Sequence, residues 1–462
     1  MANRHFRSVT DVSTPAFAPL SAPLYLMYEL AQAALAPARA LADTSRFLLR
    51  APVNPWSNSP LCTSMVAAMD LFERTTHRQV KPEWRIVETK VDGEQVPVQV
   101  NVVWSRPFCR LLHFERAFAR VPCRPQPRLV IVAPLSGQHA TLLRGTVEAF
   151  LPTHDVYVTD WVDARLVPLS EGTFSLSHYV DYLMSIFHYM GGDCHVMAIS
   201  QSAVPVLMAI SRMEEAGDPL VPRSMVLMSG PIDTRASPTA VDRLVQMHGL
   251  AFFRTCVITH VPWPHPGAMR QVYPGFLQLG GLMSLHPGSH LYAHRDGFRG
   301  FVEAQGECGT PNCTFDEDDM AVMDLSAEFY LDTLDQVFIR HALPRGESTH
   351  HGVRVRPQAI SRVALMTVEG EMDDISSVGQ TFAAHALCPA IPADRRVHWV
   401  QPQVGHYGVF MGARFRAEIA PRIADFVRAH NQPRVKARTT AARVARGNVT
   451  VLFPDRHEVA AQ

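Results

Sequence analysis

The chain has 462 residues, 47% hydrophobic and 19% charged, enough apolar material for a sizeable core within two or three domain-sized units or one domain with insertions. Its 43 Lys+Arg residues balance 43 Asp+Glu, so the formal net charge is zero; this excludes the basic excess of a general nucleic-acid binder and leaves self-association into a homo-oligomer open. The lysines are Lys81, Lys90 and Lys436, and none follows a GxxxxG loop, which excludes a Walker-type nucleotide site.

Residues 1–23 read as a loosely held arm. Its first ten residues are polar and its apolar part is broken by Pro15, Pro19 and Pro23, so no secretory leader is expected. Residues 24–83 read as a helical extension, with one helix over 24–50 interrupted near Pro37 and a second over 61–78. From 84 to 105 apolar and polar residues alternate around Asp92-Gly93, the pattern of a two-stranded hairpin.

Short apolar runs then recur at 128–134, 155–161, 194–200, 224–230, 362–370 and 396–402, with helical patterns at 142–150, 177–190, 202–216 and 376–387. Continuous apolar strands alternating with helices predict a mostly parallel central sheet with helices on both faces. An antiparallel start followed by parallel βα units is the α/β-hydrolase plan. The predicted core falls in two parts, 84–232 and 355–430, split by a cap inserted over 233–354, since a connection that long needs structure of its own. SPTAVDRL after Asp233 reads as an N-capped helix start, and the aromatics of the cap, Phe298 and Phe301 among them, as core more than ligand site. The last segment, 431–462, is Arg- and Ala-rich and reads as a basic flexible tail, with a short apolar run at 449–453. No run of 18 uninterrupted apolar residues occurs, so no membrane span is expected, and a reduced, cytoplasmic protein is.

Three segments carry the chemistry. In CHVMAISQSAVPV a strand runs straight into a helix, with Ser200 at the turn and small residues, Ala198 and Ser202, two positions to either side. This is a relaxed form of G-x-S-x-G, in which small neighbours permit a tight turn that exposes a nucleophile. The bland alternative is a helix N-cap serine, and Ser202 is a second candidate nucleophile. After the strand at 362–368, VEGEMDDISS offers Asp373 as the acid, with Asp374 the alternative and Asp233 a weaker one. After the last strand, VGHYG places His406 in a glycine-flanked loop. The order Ser, Asp, His, each after a strand, is the α/β-hydrolase order. The oxyanion hole would use the N–H of Gln201 and an N–H near Ser136, in the loop after the 128–133 strand. His286, His290 and His294 are interrupted by Pro287-Gly288, the CGTPNC pair of Cys308 and Cys313 has no partner pair, and His350-His351 reads as a solvated turn. No metal and no organic cofactor is expected.

Long stretches resemble one family. LYLMYELAQAALAPARA, LFERTTHR, RPFCRLLHFERA, APLSGQHATLLRGTVEAFLP, DVYVTDWVDARLVPLS, PRSMVLMSGPIDTRASPTAV, VYPGFLQLGG, VMDLSAEFYLDTL, ALMTVEGEMDDISSVGQT and QVGHYGVF are similar to segments of the intracellular poly(3-hydroxybutyrate) depolymerases, over roughly 24–430. The resemblance implies hydrolysis of amorphous polyhydroxyalkanoate at the surface of cytoplasmic granules. It carries the acid and histidine onto Asp373 and His406. It also marks a departure: the family presents a cysteine in C-Q-P, where this chain has Ser200-Gln201-Ser202. Serine cleaves esters when a histidine and an acid are in place, so the expected reaction stands. The competing expectations are a cytoplasmic short-chain or oligomer esterase, a polyester synthase-like acyltransferase of the same fold, and a non-catalytic granule-associated protein.

Overall fold

The computed structural model describes residues 22–51, 53–57, 59–76, 78, 80–118, 126–285 and 320–431. The arm before residue 22, Phe298, Phe301, His286, His290, His294, Cys308, Cys313 and the tail from 432 lie outside the described residues. No described helix is long and apolar enough to cross a membrane.

Two helices come first, α1 (Ala22–Arg50) and α2 (Pro60–Thr76). The predicted break at Pro37 is absent; α1 runs through it. Proline removes one backbone donor, and here packing against α2 outweighs that loss. Arg39 is buried and bonds Thr76 O at 2.8 Å, while Arg46 reaches Asp70 at 2.8 Å and Glu73 at 2.9 Å. The start of α1 docks elsewhere, through Tyr28 stacked on Phe276 with centroids 4.2 Å apart.

The centre is a nine-stranded sheet in the order β1-β2-β3-β5-β4-β6-β7-β13-β14. The strands are β1 (Glu88–Val91), β2 (Glu94–Arg106), β3 (Cys109–Arg116), β4 (Arg128–Val132), β5 (Asp155–Trp161), β6 (His195–Ile199), β7 (Ser224–Met228), β13 (Ala364–Gly370) and β14 (Arg396–Gln401). β1, β2 and β3 are antiparallel to their neighbours, and β4, β5, β6, β7, β13 and β14 run parallel to one another. Asp92 and Gly93 turn the first hairpin with φ of 50° and 92°, the left-handed pair that a two-residue hairpin requires. β6, β7 and β13 are buried at every residue, as parallel strands covered on both faces must be. Helices α3 (Arg144–Phe150), α4 (Leu176–Tyr189) and α5 (Ala203–Glu215) fill the crossovers close to where the periodicity places them.

Two further segments depart from the sequence reading. β3 was not expected, because Arg110, His113, Glu115 and Arg116 disguise its buried positions. The helix expected over 376–387 is mostly turns, with only Ala384–Leu387 helical. Its backbone donors go to a carboxylate instead: fully buried Glu369 accepts from the N–H groups of Gly379, Thr381 and Phe382 at 2.7–2.9 Å. A charged acceptor in the interior outcompetes the helical bonds of a short Ser/Gly-containing segment.

Between β7 and β13 the chain leaves the sheet. Described there are α6 (Ala240–Cys256), which begins at a Thr239–Asp242 capping box and kinks at Gly249, and α7 (Gly275–Leu285). Short strands β8 (Thr259–His260), β9 (Gln271–Tyr273) and β10 (Leu325–Ser326) form a small sheet, and β11 (Thr349–His350) and β12 (Val353–Arg354) form a hairpin.

Asp163 and Asp324 tie α1 and this segment to the end of β5. Tyr25 donates to Asp324 Oδ2 at 2.5 Å, Gly275 N–H to Oδ1 at 2.9 Å, and Asp324 N–H to Asp163 Oδ1 at 3.2 Å. Burial and the charge of Asp324 push the Asp163 carboxyl above the ordinary carboxylate range, against the pull of Arg165 at 3.2 Å. The folded chain therefore holds this proton to a higher pH than the unfolded chain, which releases it near pH 4. Its stabilising contribution is therefore full below about pH 4 and is lost progressively as the pH rises from there through the raised folded-state value. Asp163→Asn keeps the Oδ1 acceptor and removes the charge. Its melting temperature should exceed that of the wild type by a few degrees at about pH 8 and by less, or not at all, at about pH 4. Equal offsets at both pH values, read by differential scanning calorimetry, would contradict the assignment.

Candidate active site

Strand order reverses between β4 and β6, since β4 continues to β5 on one side and β6 lies on the other. In open parallel sheets that reversal opens a crevice at the carboxyl ends of the strands. Ser200 stands there, directly after β6, with φ +54°. A left-handed φ on a non-glycine residue costs energy and is held by its surroundings. Ala198 and Ser202 are fully buried on either side, and Ala203 starts α5 at once. Gly230, after β7, lets this elbow sit close: a Cβ there would lie 2.3 Å from the Ala203 Cβ and 2.9 Å from Ser200 O. Ser202 points away, its hydroxyl bonded to Val132 O at 2.9 Å and Ile199 O at 2.8 Å. It is a structural serine in the elbow.

His406 arrives on the loop after β14. Its Nε2 lies 2.9 Å from Ser200 Oγ, and its Nδ1 lies 2.9 Å from Asp373 Oδ2 and 3.1 Å from Oδ1. The Asp373 side chain is fully shielded from solvent, and Oδ1 also accepts from the N–H groups of Ile375 and Ser376 at 3.0 and 2.8 Å. Those donors fix the carboxylate plane toward the imidazole. The acid and histidine loops are joined by the main chain, Met372 N–H to Val404 O at 3.0 Å. Asp374, next in sequence, is exposed. Asp233 is committed to Arg235 at 2.8 Å.

The third wall is the loop after β4. Its first carbonyl, Ala133 O, accepts from Trp161 Nε1 at 2.9 Å and from the Tyr179 hydroxyl at 3.3 Å. Leu135 N–H donates to Gln201 Oε1 at 3.3 Å, so the residue after Ser200 grips this loop with its side chain. Gly137 takes φ +113°, and a Cβ there would come 2.0 Å from Gln278 Oε1 of α7. Gly137 O accepts from Met323 N–H at 2.7 Å and Gln138 bridges Val322. Ser136, partly exposed, lies between these anchors and the elbow.

The structure thus brings Ser200, His406 and Asp373 into one hydrogen-bonded chain, with Gln201 and the Ser136 loop joined beside them. Gln201 is the middle residue of the short turn Ser200–Ser202 that leads into α5. Three contributors were not expected from sequence: Glu369, the Gln201 side chain and Gln278. Glu369 alone left a signal, a carboxylate at the end of an otherwise apolar strand. The His350-His351 expectation is corrected in part, because His350 is buried.

Sheet order and this array define the class, an α/β-hydrolase with a serine at the elbow. Residues 229–431 match the family model described as PHB de-polymerase C-terminus, so the resemblance to the poly(3-hydroxybutyrate) depolymerase family is borne out over that stretch and supports an ester hydrolase. Asp373 and His406 fall inside the matched residues and Ser200 before them. No curated protein matches the chain. Among solved structures it is similar to the monoacylglycerol lipase of Paleococcus ferrophilus, with 13% identity, 66% of this chain and 96% of that one covered, and a TM-score of 0.37. It is also similar to a thermophilic esterase of Thermogutta terrifontis, with 12% identity, 75% and 98% covered, and a TM-score of 0.36. A third is the 2-hydroxy-6-oxo-6-phenylhexa-2,4-dienoate hydrolase of Rhodococcus sp. strain RHA1, with 12% identity, 72% and 99% covered, and a TM-score of 0.39.

Proposed function

We propose that the chain is an intracellular polyhydroxyalkanoate depolymerase that hydrolyses amorphous poly(3-hydroxybutyrate)-type polyester with Ser200, His406 and Asp373. The observation that carries this reading is the unbroken hydrogen-bond chain from Ser200 Oγ through the His406 ring to Asp373, at 2.9 Å on each side, in a protein whose residues 229–431 match that family.

His406 Nε2 takes the hydroxyl proton as Ser200 Oγ attacks the ester carbonyl. Asp373 holds the proton on Nδ1 and stabilises the imidazolium. The carbonyl oxygen, now anionic, is held by the Gln201 N–H and an N–H at Ser136, a pair whose loss typically costs several kcal/mol of barrier. His406 returns the proton to the leaving 3-hydroxyl oxygen, and an acyl-enzyme remains. Water, deprotonated by His406, attacks that ester, releasing a carboxylate and restoring Ser200. Every step is supplied by side chains and main-chain donors.

In this reading residues 84–232 and 355–430 form the catalytic core, 233–354 the cap that admits the polymer chain, and 24–83 an extension. Leu26, Met27, Leu30 and Phe47 of α1 and Trp56 of the following turn are more than half exposed, which supports contact with an apolar granule surface in the cytoplasm. The test is acid release from native-like amorphous poly(3-hydroxybutyrate) granules beside cleavage of soluble short-chain esters. Release from granules is the expected result. Cleavage of soluble esters with inert granules would leave an esterase of the same fold and overturn the polymer assignment.

A further inference from the structure

Asp181 on α4 faces the turn of the β11–β12 hairpin. His350 Nε2 lies 2.8 Å from Asp181 Oδ1, and His351 Nε2 lies 2.6 Å from Oδ2. One ligand atom from each of the three residues falls within 4.8 Å of the other two. Consecutive residues of a strand point to opposite faces, so two adjacent histidines do not ordinarily converge. Here His351 takes φ +47°, which swings the second imidazole back beside the first, their ring centroids 4.6 Å apart. The turn is held there by His351 N–H on Ser177 Oγ at 3.3 Å, one helical turn before Asp181.

The site is half built into the protein and half open. His350 is buried under the hairpin, while His351 and Asp181 reach solvent. Beside them His178 sets its ring edge-on to His351, centroids 5.7 Å apart, with its own Nδ1 fixed by Ser175 Oγ at 2.8 Å. The nearby cation, Arg212, is paired with Glu215, which offsets its repulsion of a second positive charge.

We propose that Asp181, His350 and His351 form a binding site for one first-row divalent cation of the Zn2+ type, which clamps the β11–β12 hairpin to α4. Two imidazoles and one carboxylate suit such an ion, whereas Mg2+ and Ca2+ favour all-oxygen shells. Three protein ligands leave a coordination position for water. Binding requires each imidazole to present the Nε2 lone pair with its proton on Nδ1, and Asp181 exchanges two N–H···O bonds for a bond to the metal; no electron is transferred. The inference is independent of the ester-hydrolase reading.

The experiment uses tag-free full-length protein stripped with a chelator and dialysed against Zn2+, beside His351→Ala and Asp181→Asn. The wild type should bind one more equivalent of zinc than either variant. Co2+ should give ligand-field absorption bands in the wild type that both variants lose. Zinc should raise the melting temperature of the wild type alone, because an ion that binds only the folded state stabilises it. His351 is exposed, so its variant should keep the fold, and His351→Gln serves as a second variant. Equal zinc stoichiometry in all proteins, or variants that melt earlier without any difference in zinc bound, would overturn the proposal and leave the two hydrogen bonds as a plain tether.

Discussion

Ser200→Ala should lower the rate of ester cleavage by about ten-thousand-fold or more, on granules and on soluble esters alike, because removing a triad nucleophile leaves only binding and the oxyanion donors. The hydroxyl is the group aligned with His406 Nε2 at 2.9 Å. Ser202 cannot substitute, since its hydroxyl is turned to Val132 O and Ile199 O beneath the elbow. Granule association, followed by co-sedimentation, should be unchanged, because none of the exposed α1 residues changes. Initial rates of acid release in a pH-stat read the first quantity. A variant within tenfold of the wild type would end the assignment of Ser200 as nucleophile, whatever the substrate proves to be.

Asp373→Asn should cost nearly as much, about ten-thousand-fold in kcat, with a small effect on KM. Oδ1 is pinned by the Ile375 and Ser376 N–H groups, so the asparagine oxygen keeps that place and its NH2 group faces His406 Nδ1. A donor there forces Nδ1 to be the acceptor and puts the ring proton on Nε2. The imidazole then has no lone pair for the Ser200 proton. The loss should shrink as the pH rises and hydroxide or a deprotonated serine replaces the missing base. A pH profile parallel to that of the wild type would argue for a merely structural role. Asp374→Asn, altering an exposed neighbour, is the control and should retain most activity.

Much of this arrangement was legible in the sequence, for reasons that differ by residue. The parallel strands could be read because each is a short, mostly apolar run, and β5 matches its expected span, Asp155–Trp161. Ser200 could be read because small residues must flank so tight a turn. The choice between Asp373 and Asp374 could only be weighed, since what separates them is burial and the main-chain donors at 375 and 376. β3 was hidden by charged residues on its open face. The two-residue strands β8, β10, β11 and β12 are too short to show any period. Glu369 illustrates the general difficulty: a buried carboxylate shapes the loop ten residues downstream, and no local pattern in that loop announces it.

The pairing of Gly137 and Gln138 with Val322 and Met323 has a consequence for how this protein can change. The reaction chamber borrows a side from the excursion between β7 and β13, stitched on by main-chain bonds. Such an excursion is not an accessory that can be exchanged like a lid on a jar. On the proposed reading, trimming it to broaden the choice of substrate would also slacken the Ser136 loop beside the elbow, so turnover would suffer before selectivity improved. Grafts from related chains would need to carry residues 321–323 and their partners at 137–138 as one unit, and lineages that remodel the excursion would be expected to alter both stretches together.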